Sequence, residues 1–206
     1  MPAHYDYLHV TLERGRPAWA AFAAHIHGTV APALAAEGGE MLGLFQGQLG
    51  FASTEAIVLL RWPDAGHGRV QELSPAPGAV ALHWEKLMPT VRPEDGKRLK
   101  PGGIYVHRWF TVDAASAADF IALSNRAWEN FEGSYDTEIF GLFAAEAKAE
   151  DRYEGALRLL LLTYYASHDV WEKSRDQTRD PQGLFVKRHA LTRSTIGRSS
   201  TLVVPA

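Results

Sequence analysis

The sequence predicts an α+β protein made of two tandem ferredoxin-like repeats, each with the element order β-α-β-β-α-β. The first observation is an internal match without gaps, in which residues 7–45 recur 98 positions later at 105–143. A recurrence at fixed spacing is typical of a duplicated structural unit. The second observation is a linker signature, rich in proline, glycine and charge, at 92–103. We therefore predict one repeat at 1–98 and a second at 99–206.

The internal match spans a whole run of elements, because it covers an alternating apolar segment, a helical segment and a second strand-like segment. Nine of its 39 aligned pairs are identical. The identical pairs are Tyr7/Tyr105, His9/His107, Ala20/Ala118, Phe22/Phe120, Ala24/Ala122, Glu40/Glu138 and the run Gly43–Phe45 against Gly141–Phe143.

The first repeat opens with a strand at 7–12, since apolar and polar residues alternate there. Its apolar face is formed by Leu8, Val10 and Leu12, and its other face by Tyr7, His9 and Thr11. Pro17 suits the start of a helix, which Pro32 should end or kink and Gly38 should stop. Strands at 41–48 and 55–62 form a hairpin. A short, weakly marked element and a strand at 79–91 complete the repeat.

The second repeat follows the same order. A strand at 104–112 precedes a helix whose start has the capping-box spacing Ser116 to Asp119. Strands at 138–145 and 156–165 form a hairpin, and its charged connection at 146–154 should protrude. A short helix at 168–176 follows, and 185–204 is predicted to supply the closing strand or strands.

Each predicted sheet carries helices on one face only, so its other face must be covered. Two copies in one chain predict that the bare faces turn toward each other. The chain would then form two repeats packed sheet to sheet, as a fused, pseudo-dimeric α/β barrel.

The junction between the repeats resembles that of NIPSNAP-type proteins, which belong to the dimeric α/β-barrel superfamily. It runs Leu-Met-Pro-Thr-Val-Arg-Pro at 87–93 and Pro-Gly-Gly-Ile-Tyr-Val-His-Arg-Trp-Phe-Thr at 101–111. A Pro-Gly-Gly-Ile-Tyr-Glu-Leu-Arg-like segment starts the first barrel strand in that family, and Val106-His107 departs from it. The resemblance spans both repeats. It implies a barrel that binds a small molecule or a partner, and it implies no single reaction.

The repeated tyrosine and histidine are the best candidates for a site, because alternation points them away from the helices and into the predicted barrel. Two imidazoles and two phenols in a mostly apolar cavity suit proton transfer or ligand orientation. We predict His9 and His107 as catalytic residues. We predict Tyr7, Thr11, Tyr105 and Trp109 as ligand-binding residues. The alternative is that both histidines are buried structural residues with hydrogen-bond partners.

Three functional hypotheses follow. The first is a NIPSNAP-like protein that binds a small apolar or aromatic molecule in its cavity. The second is a cofactor-independent monooxygenase, isomerase or cyclase that uses a cavity histidine. The third is a scaffold or protein-interaction module. Haem held by His9, His107 or His168 is a weaker hypothesis, and no cofactor is expected.

Composition excludes several classes of partner and site. A net charge of −3 gives no electrostatic footprint for nucleic acid, and the absence of cysteine excludes disulfides and Cys-based zinc or iron–sulfur sites. No metal motif occurs, so no metal is expected. No signal peptide or membrane span is visible. We therefore expect a cytoplasmic protein with a small-molecule ligand and no membrane partner, and association of the fused barrel into a homo-oligomer is a further expectation.

Overall fold

The structure is a computed structural model that describes residues 3–63, 76–148, 153–176 and 182–205. The strands within these residues are β1 His4–Leu12, β2 Glu40–Gly47, β3 Glu55–Trp62, β4 Ala79–Pro89, β5 Ile104–Asp113, β6 Thr137–Ala145, β7 Ala156–Tyr165 and β8 Thr192–Val203. The helices are α1 Arg16–His25, α2 Ala31–Ala36, α3 Ala117–Ser134, α4 His168–Lys173 and α5 Leu184–Ala190. A π-helical turn, Ile26–Val30, joins α1 to α2, and a 3₁₀ turn, Ala114–Ser116, precedes α3.

The chain divides into two compact units. The first unit is Met1–Met88 with Ser199–Ala206, and the second is Pro89–Arg198. The end of β8 therefore belongs to the first unit, whereas the predicted repeats meet at 98/99. The division into sequence repeats stays a prediction.

The first unit contains an antiparallel sheet with the strand order β4-β1-β3-β2, and residues 200–203 of β8 pair with β2. The apolar face of β1 packs against the helices, as alternation predicted. The core between β1 and these helices includes Leu8, Val10, Leu12, Phe22, Ile26, Val30 and Leu34. The helical residues among them, Phe22, Ile26, Val30 and Leu34, recur every four positions. This spacing is longer than the 3.6 residues of an α-helical turn. The π-helical turn in the middle keeps them on one face.

The second unit contains an antiparallel sheet with the strand order β8-β5-β7-β6, which is the order of the first unit. Its helix-facing core includes Val106, Phe110 and Val112 of β5 and Phe120, Trp128 and Phe131 of α3. Register shifts interrupt β2 between Met41 and Gly43 and β6 between Ile139 and Gly141. The two shifts are 98 positions apart, so the irregularity recurs at the spacing of the sequence match.

Three local predictions differ from the structure or lie outside it. The prediction that 185–204 is extended is wrong in its first part, because α5 occupies Leu184–Ala190 before β8 begins. Leu184 and Arg188, one helical turn apart, both face the interior of the unit. Ser116 precedes α3, but its side chain makes no capping hydrogen bond. The weakly marked element after Trp62 and the middle of the 146–154 connection lie mostly outside the described residues.

The mixed α+β class and the antiparallel pairing are confirmed. Tandem ferredoxin-like repeats and their packing sheet to sheet stay predictions. None of the described helices has both the length and the apolar character needed to cross a membrane.

Candidate ligand-binding site

A cavity of about 370 Å³ lies in the second unit, between the helix-facing side of the sheet and its helices. The sheet contributes Arg108, Phe110, Ile139, Leu161, Thr163, Tyr165 and Thr195 to its walls. The helices and their flanking residues contribute Trp128, Asn130, Phe131, Tyr135, Ser174, Arg175, Asp176, Phe185, Arg188 and His189. A volume of this order suits a small organic molecule.

Aromatic rings form one wall of this cavity. Phe131 lies at the centre, with ring-centroid distances of 5.4 Å to Phe185, 5.5 Å to Tyr135 and 6.2 Å to Tyr165. The contacts with Phe185 and Tyr165 are edge-to-face, the arrangement that ring quadrupoles favour. A wall of mutually packed rings is rigid and apolar, so it suits a flat aromatic ligand.

A buried phenol provides a hydrogen-bonding group in this wall. Burial raises the pKa of Tyr165 above its usual value of 10, although the guanidinium groups of Arg108 and Arg188 oppose the shift. Tyr165 shares a hydrogen bond with Ser174, whose hydroxyl also donates to the Trp171 carbonyl at 2.7 Å. Tyr165 is therefore a neutral phenol at pH 7 and can act as a hydrogen-bond donor.

Two of the three arginines that line the cavity, Arg108 and Arg188, bring positive charge beside the aromatic wall. The Arg188 guanidinium lies 4.9 Å from the Phe185 ring centroid and 5.1 Å from that of Phe110, and both distances permit cation–π contact. Arg108 projects from the helix-facing side of β5. Burial lowers the pKa of the Arg108 guanidinium, yet an arginine remains charged at neutral pH.

One residue of this cavity, Arg108, could have been singled out from the sequence. Along β5 the helix-facing residues are apolar except at Arg108, which interrupts the series Ile104, Val106, Phe110 and Val112. A charged residue on an otherwise apolar face is a candidate functional residue. Arg188 and His189 were not found, because the segment that carries them was predicted to be extended.

The predicted site residues of the first unit lie on the face of β1 away from the helices. His9 is partly buried, with Nε2 3.1 Å from Glu55 Oε1 and its ring edge-to-face with Phe51 at 5.8 Å. Tyr7 is buried and lies opposite Leu59 on β3 and Glu85 on β4. Thr11 lies opposite Glu55 on β3.

The predicted site residues of the second unit also lie away from the helices, and they are well packed. His107 has a relative exposure of 0% and lies opposite Leu162. The Tyr105 hydroxyl donates to the Lys100 carbonyl at 2.8 Å. The Arg158 guanidinium lies 5.6 Å from the Trp109 ring centroid. The predicted roles of all six residues stay predictions, and the structure places none of the six in the wall of the second-unit cavity.

In the part of the chain that the structure describes, no three His, Asp or Glu side chains come together as a metal site would require. His168 stands at the start of α4, with its ring 6.2 Å from that of Trp171.

Comparison with known proteins identifies the fold. No protein-family profile and no curated protein matches the chain. A candidate monooxygenase from Fusobacterium nucleatum has a TM-score of 0.64 at 10% identity, covering 98% of this chain and 93% of its own. An anthrone oxidase-like protein has a TM-score of 0.60 at 12% identity, covering 98% and 92%. A candidate monooxygenase from Lactobacillus acidophilus has a TM-score of 0.59 at 10% identity, covering 100% of both chains.

These identities are low, so the similarities concern the fold alone. They show a shared mixed α+β fold, and membership of the dimeric α/β-barrel superfamily stays a prediction. The NIPSNAP family is not shown by these similarities.

Proposed function

We propose that the chain is an enzyme that binds a small aromatic molecule in the second-unit cavity and oxidises it with O₂, without a cofactor. The cavity is the observation that carries this proposal. It combines an aromatic wall with a few polar groups, which is the usual composition of a small-molecule site.

The chemistry requires a substrate with a methylene group made acidic by neighbouring aromatic rings. Loss of a proton gives a carbanion that can reduce O₂ directly. The net reaction converts the methylene and one O₂ into a carbonyl and one water, so the substrate itself supplies the electrons. His189 lines the cavity and is suited to accept the proton as a neutral imidazole. The Arg188 guanidinium lines the cavity and is suited to stabilise the negative charge of the carbanion.

The descriptions of the structural neighbours support oxidation over simple binding. Two are described as candidate monooxygenases and one as anthrone oxidase-like, and each covers most of this chain. Fold similarity alone is a weak argument for chemistry, because one fold serves many reactions. Binding without turnover, as the NIPSNAP resemblance implies, is the competing function.

The proposed architecture is a tandem of ferredoxin-like repeats. Its support is the strand order β4-β1-β3-β2 in one unit and β8-β5-β7-β6 in the other, together with the register shifts 98 positions apart. His9 and His107 are the competing candidates for proton transfer, at a site other than the second-unit cavity. Their loss by substitution with alanine would abolish turnover and leave ligand affinity unchanged if they, rather than His189, move the proton.

Anthrone is the probe for testing this function, with O₂ uptake and anthraquinone formation as readouts. The purified protein should consume one O₂ for each anthrone converted, at a rate proportional to protein concentration. Thr195→Trp places a large ring at the cavity wall and should lower the rate by at least ten-fold. Ile196→Trp, at the exposed neighbouring position of β8, is the matched control and should keep the wild-type rate.

The outcomes separate the competing functions. Anthrone binding without O₂ uptake would reject the oxygenase and favour a binding protein. Equal rates in both tryptophan variants would reject the second-unit cavity as the reaction site.

A further inference from the structure

We infer that the ligand of this cavity is an aromatic carboxylate, whose anionic group is bound by Arg108. The inference deepens the proposed function and rests on it. It adds a substrate class that neither the cavity volume nor the structural neighbours indicate.

The position of Arg108 is the first observation. Its side chain leaves β5 on the face that packs against the helices, where its neighbours at every second position are apolar. Arg108 is half-buried, so its guanidinium loses part of its hydration, and a partner of opposite charge or a hydrogen-bond acceptor would replace what is lost. Such a partner is therefore expected.

The described chain does not provide this partner. Within residues 3–63, 76–148, 153–176 and 182–205, Arg108 makes no ion pair and no side-chain hydrogen bond. This contrasts with Arg193 on β8, which pairs with Asp113, and with Arg92, whose Nη1 lies 2.8 Å from Glu132 Oε1. The donors of Arg108 remain available to a ligand.

The charge of the cavity wall also favours an anionic ligand. Arg108, Arg175 and Arg188 line it, and Asp176 is the carboxylate among the lining residues that the structure describes. Glu172 lies 3.5 Å from Arg175 at the exposed end of α4. The wall therefore carries a positive excess, which favours an anion.

The backbone of β8 leaves space beside the guanidinium. Gly197 lies beside it, and a Cβ at this position would be in ordinary van der Waals contact with the guanidinium, 3.7 Å from both Cζ and one Nη of Arg108. Glycine therefore keeps this side of the guanidinium free of side-chain atoms. A planar fork with free N–H groups matches a carboxylate in a two-point hydrogen bond, a geometry that lysine does not provide. The aromatic wall around Phe131 would receive the rest of the ligand.

The test compares two probes of nearly equal shape, 1-naphthoate and 1-naphthamide, which differ in charge. Isothermal titration calorimetry on the full chain should show that the wild type binds 1-naphthoate about ten- to hundred-fold more tightly than 1-naphthamide. Arg108→Gln should lose this preference while keeping its affinity for 1-naphthamide. Arg193→Gln removes an arginine from the same unit outside the cavity and should keep the wild-type affinity for both probes.

Thermal melting tests whether Arg108 is instead a structural residue. Because the described fold gives it no partner, Arg108→Gln and Arg108→Met should melt at or above the wild-type temperature. A large decrease in both variants would mean that Arg108 is paired within the fold, and this result would overturn the inference.

Three results of the calorimetry would overturn the inference. Equal wild-type affinity for the two probes would overturn the carboxylate inference and leave the aromatic cavity standing. A preference for 1-naphthoate that survives in Arg108→Gln would also overturn it. Failure of the wild type to bind either probe would reject the proposed function together with the inference.

Discussion

The carboxylate of Asp6 lies inside the first unit, with a relative exposure of 0%. Trp62 Nε1 donates to one of its oxygens at 2.6 Å, and Trp84 Nε1 donates to the other at 2.8 Å. Asp6 is thus a buried carboxyl group with two indole donors, and it holds β3 and β4 to the central strand β1. This differs from Arg108, which lies on the corresponding face of β5 and has no such partner among the described residues.

Asp6→Ala should lower the free energy of unfolding by about 2–4 kcal/mol, because it leaves the buried indole N–H of Trp62 and the partly buried one of Trp84 without their acceptor. Urea denaturation measures the change. The control is Asp169→Ala, which removes an exposed ion pair with Lys173 and should cost less than about 1 kcal/mol. Equal losses in the two variants would contradict this role of Asp6.

Alternation along the strands predicted which side chains face the helices, but it could not predict what a charged side chain on that face does. Asp6 and Arg108 both interrupt an apolar face. Asp6 has its two donors, Trp62 and Trp84, 56 and 78 residues away in sequence. Partners at such distances become known only from the fold. The cavity beside Arg108 likewise depends on packing between distant elements. The sequence alone therefore predicted site residues on the opposite face of the sheet, away from the helices.

At the scale of elements, Glu132 joins α3 to β6. Its Oε1 accepts a hydrogen bond from the Ile139 backbone N–H at 2.7 Å and from Arg92 Nη1 at 2.8 Å. The register of β6 shifts between Ile139 and Gly141, so the regular ladder is interrupted at this point. Glu132 satisfies a backbone donor next to this irregularity, and Trp128 and Ile139 on either side line the cavity.

Glu132→Ala should lower the free energy of unfolding by about 2–4 kcal/mol, because the Ile139 N–H and the Arg92 guanidinium both lose their acceptor. Glu129→Ala, on the exposed side of the same helix, controls for helix propensity and should change stability by less than about 0.5 kcal/mol. Hydrogen exchange at Ile139 gives a local measurement. Unchanged protection of this amide in Glu132→Ala would argue against the contact.

The elements that the sequence predicted well are those with a strong apolar signal between clear turns. β3 and β7 have the predicted bounds, because both are continuous apolar segments between turns. α5 was missed because Phe185 and Val186 favour strands locally, whereas packing of Leu184 and Arg188 in the unit favours a helix. Tertiary contacts that override local preference are not visible in a short window of sequence.

For the whole molecule, stability should fall as the pH rises above 10. Burial raises the pKa values of Tyr105 and Tyr165 above their usual value of 10. Both phenols therefore stay protonated in the folded chain at a pH where they ionise in the unfolded chain. A raised folded-state pKa gives stability that is fully present below pH 10 and is lost above it.

Urea denaturation at a series of pH values tests this dependence. Tyr105→Phe removes one of the two groups, so the decrease of unfolding free energy above pH 10 should be less steep by up to about 1.4 kcal/mol per pH unit. An identical slope in wild type and variant would contradict the burial of Tyr105 as a neutral phenol.

The most direct test of the central claim, that the second-unit cavity is the ligand site, is histidine NMR during titration with 1-naphthoate. The imidazole signals can be assigned with single histidine variants. The cavity proposal predicts that His189 shifts in a saturable way, while His9 and His107 keep their positions. Saturable shifts of His9 or His107 with an unchanged His189 would contradict it and support the site that the sequence predicted.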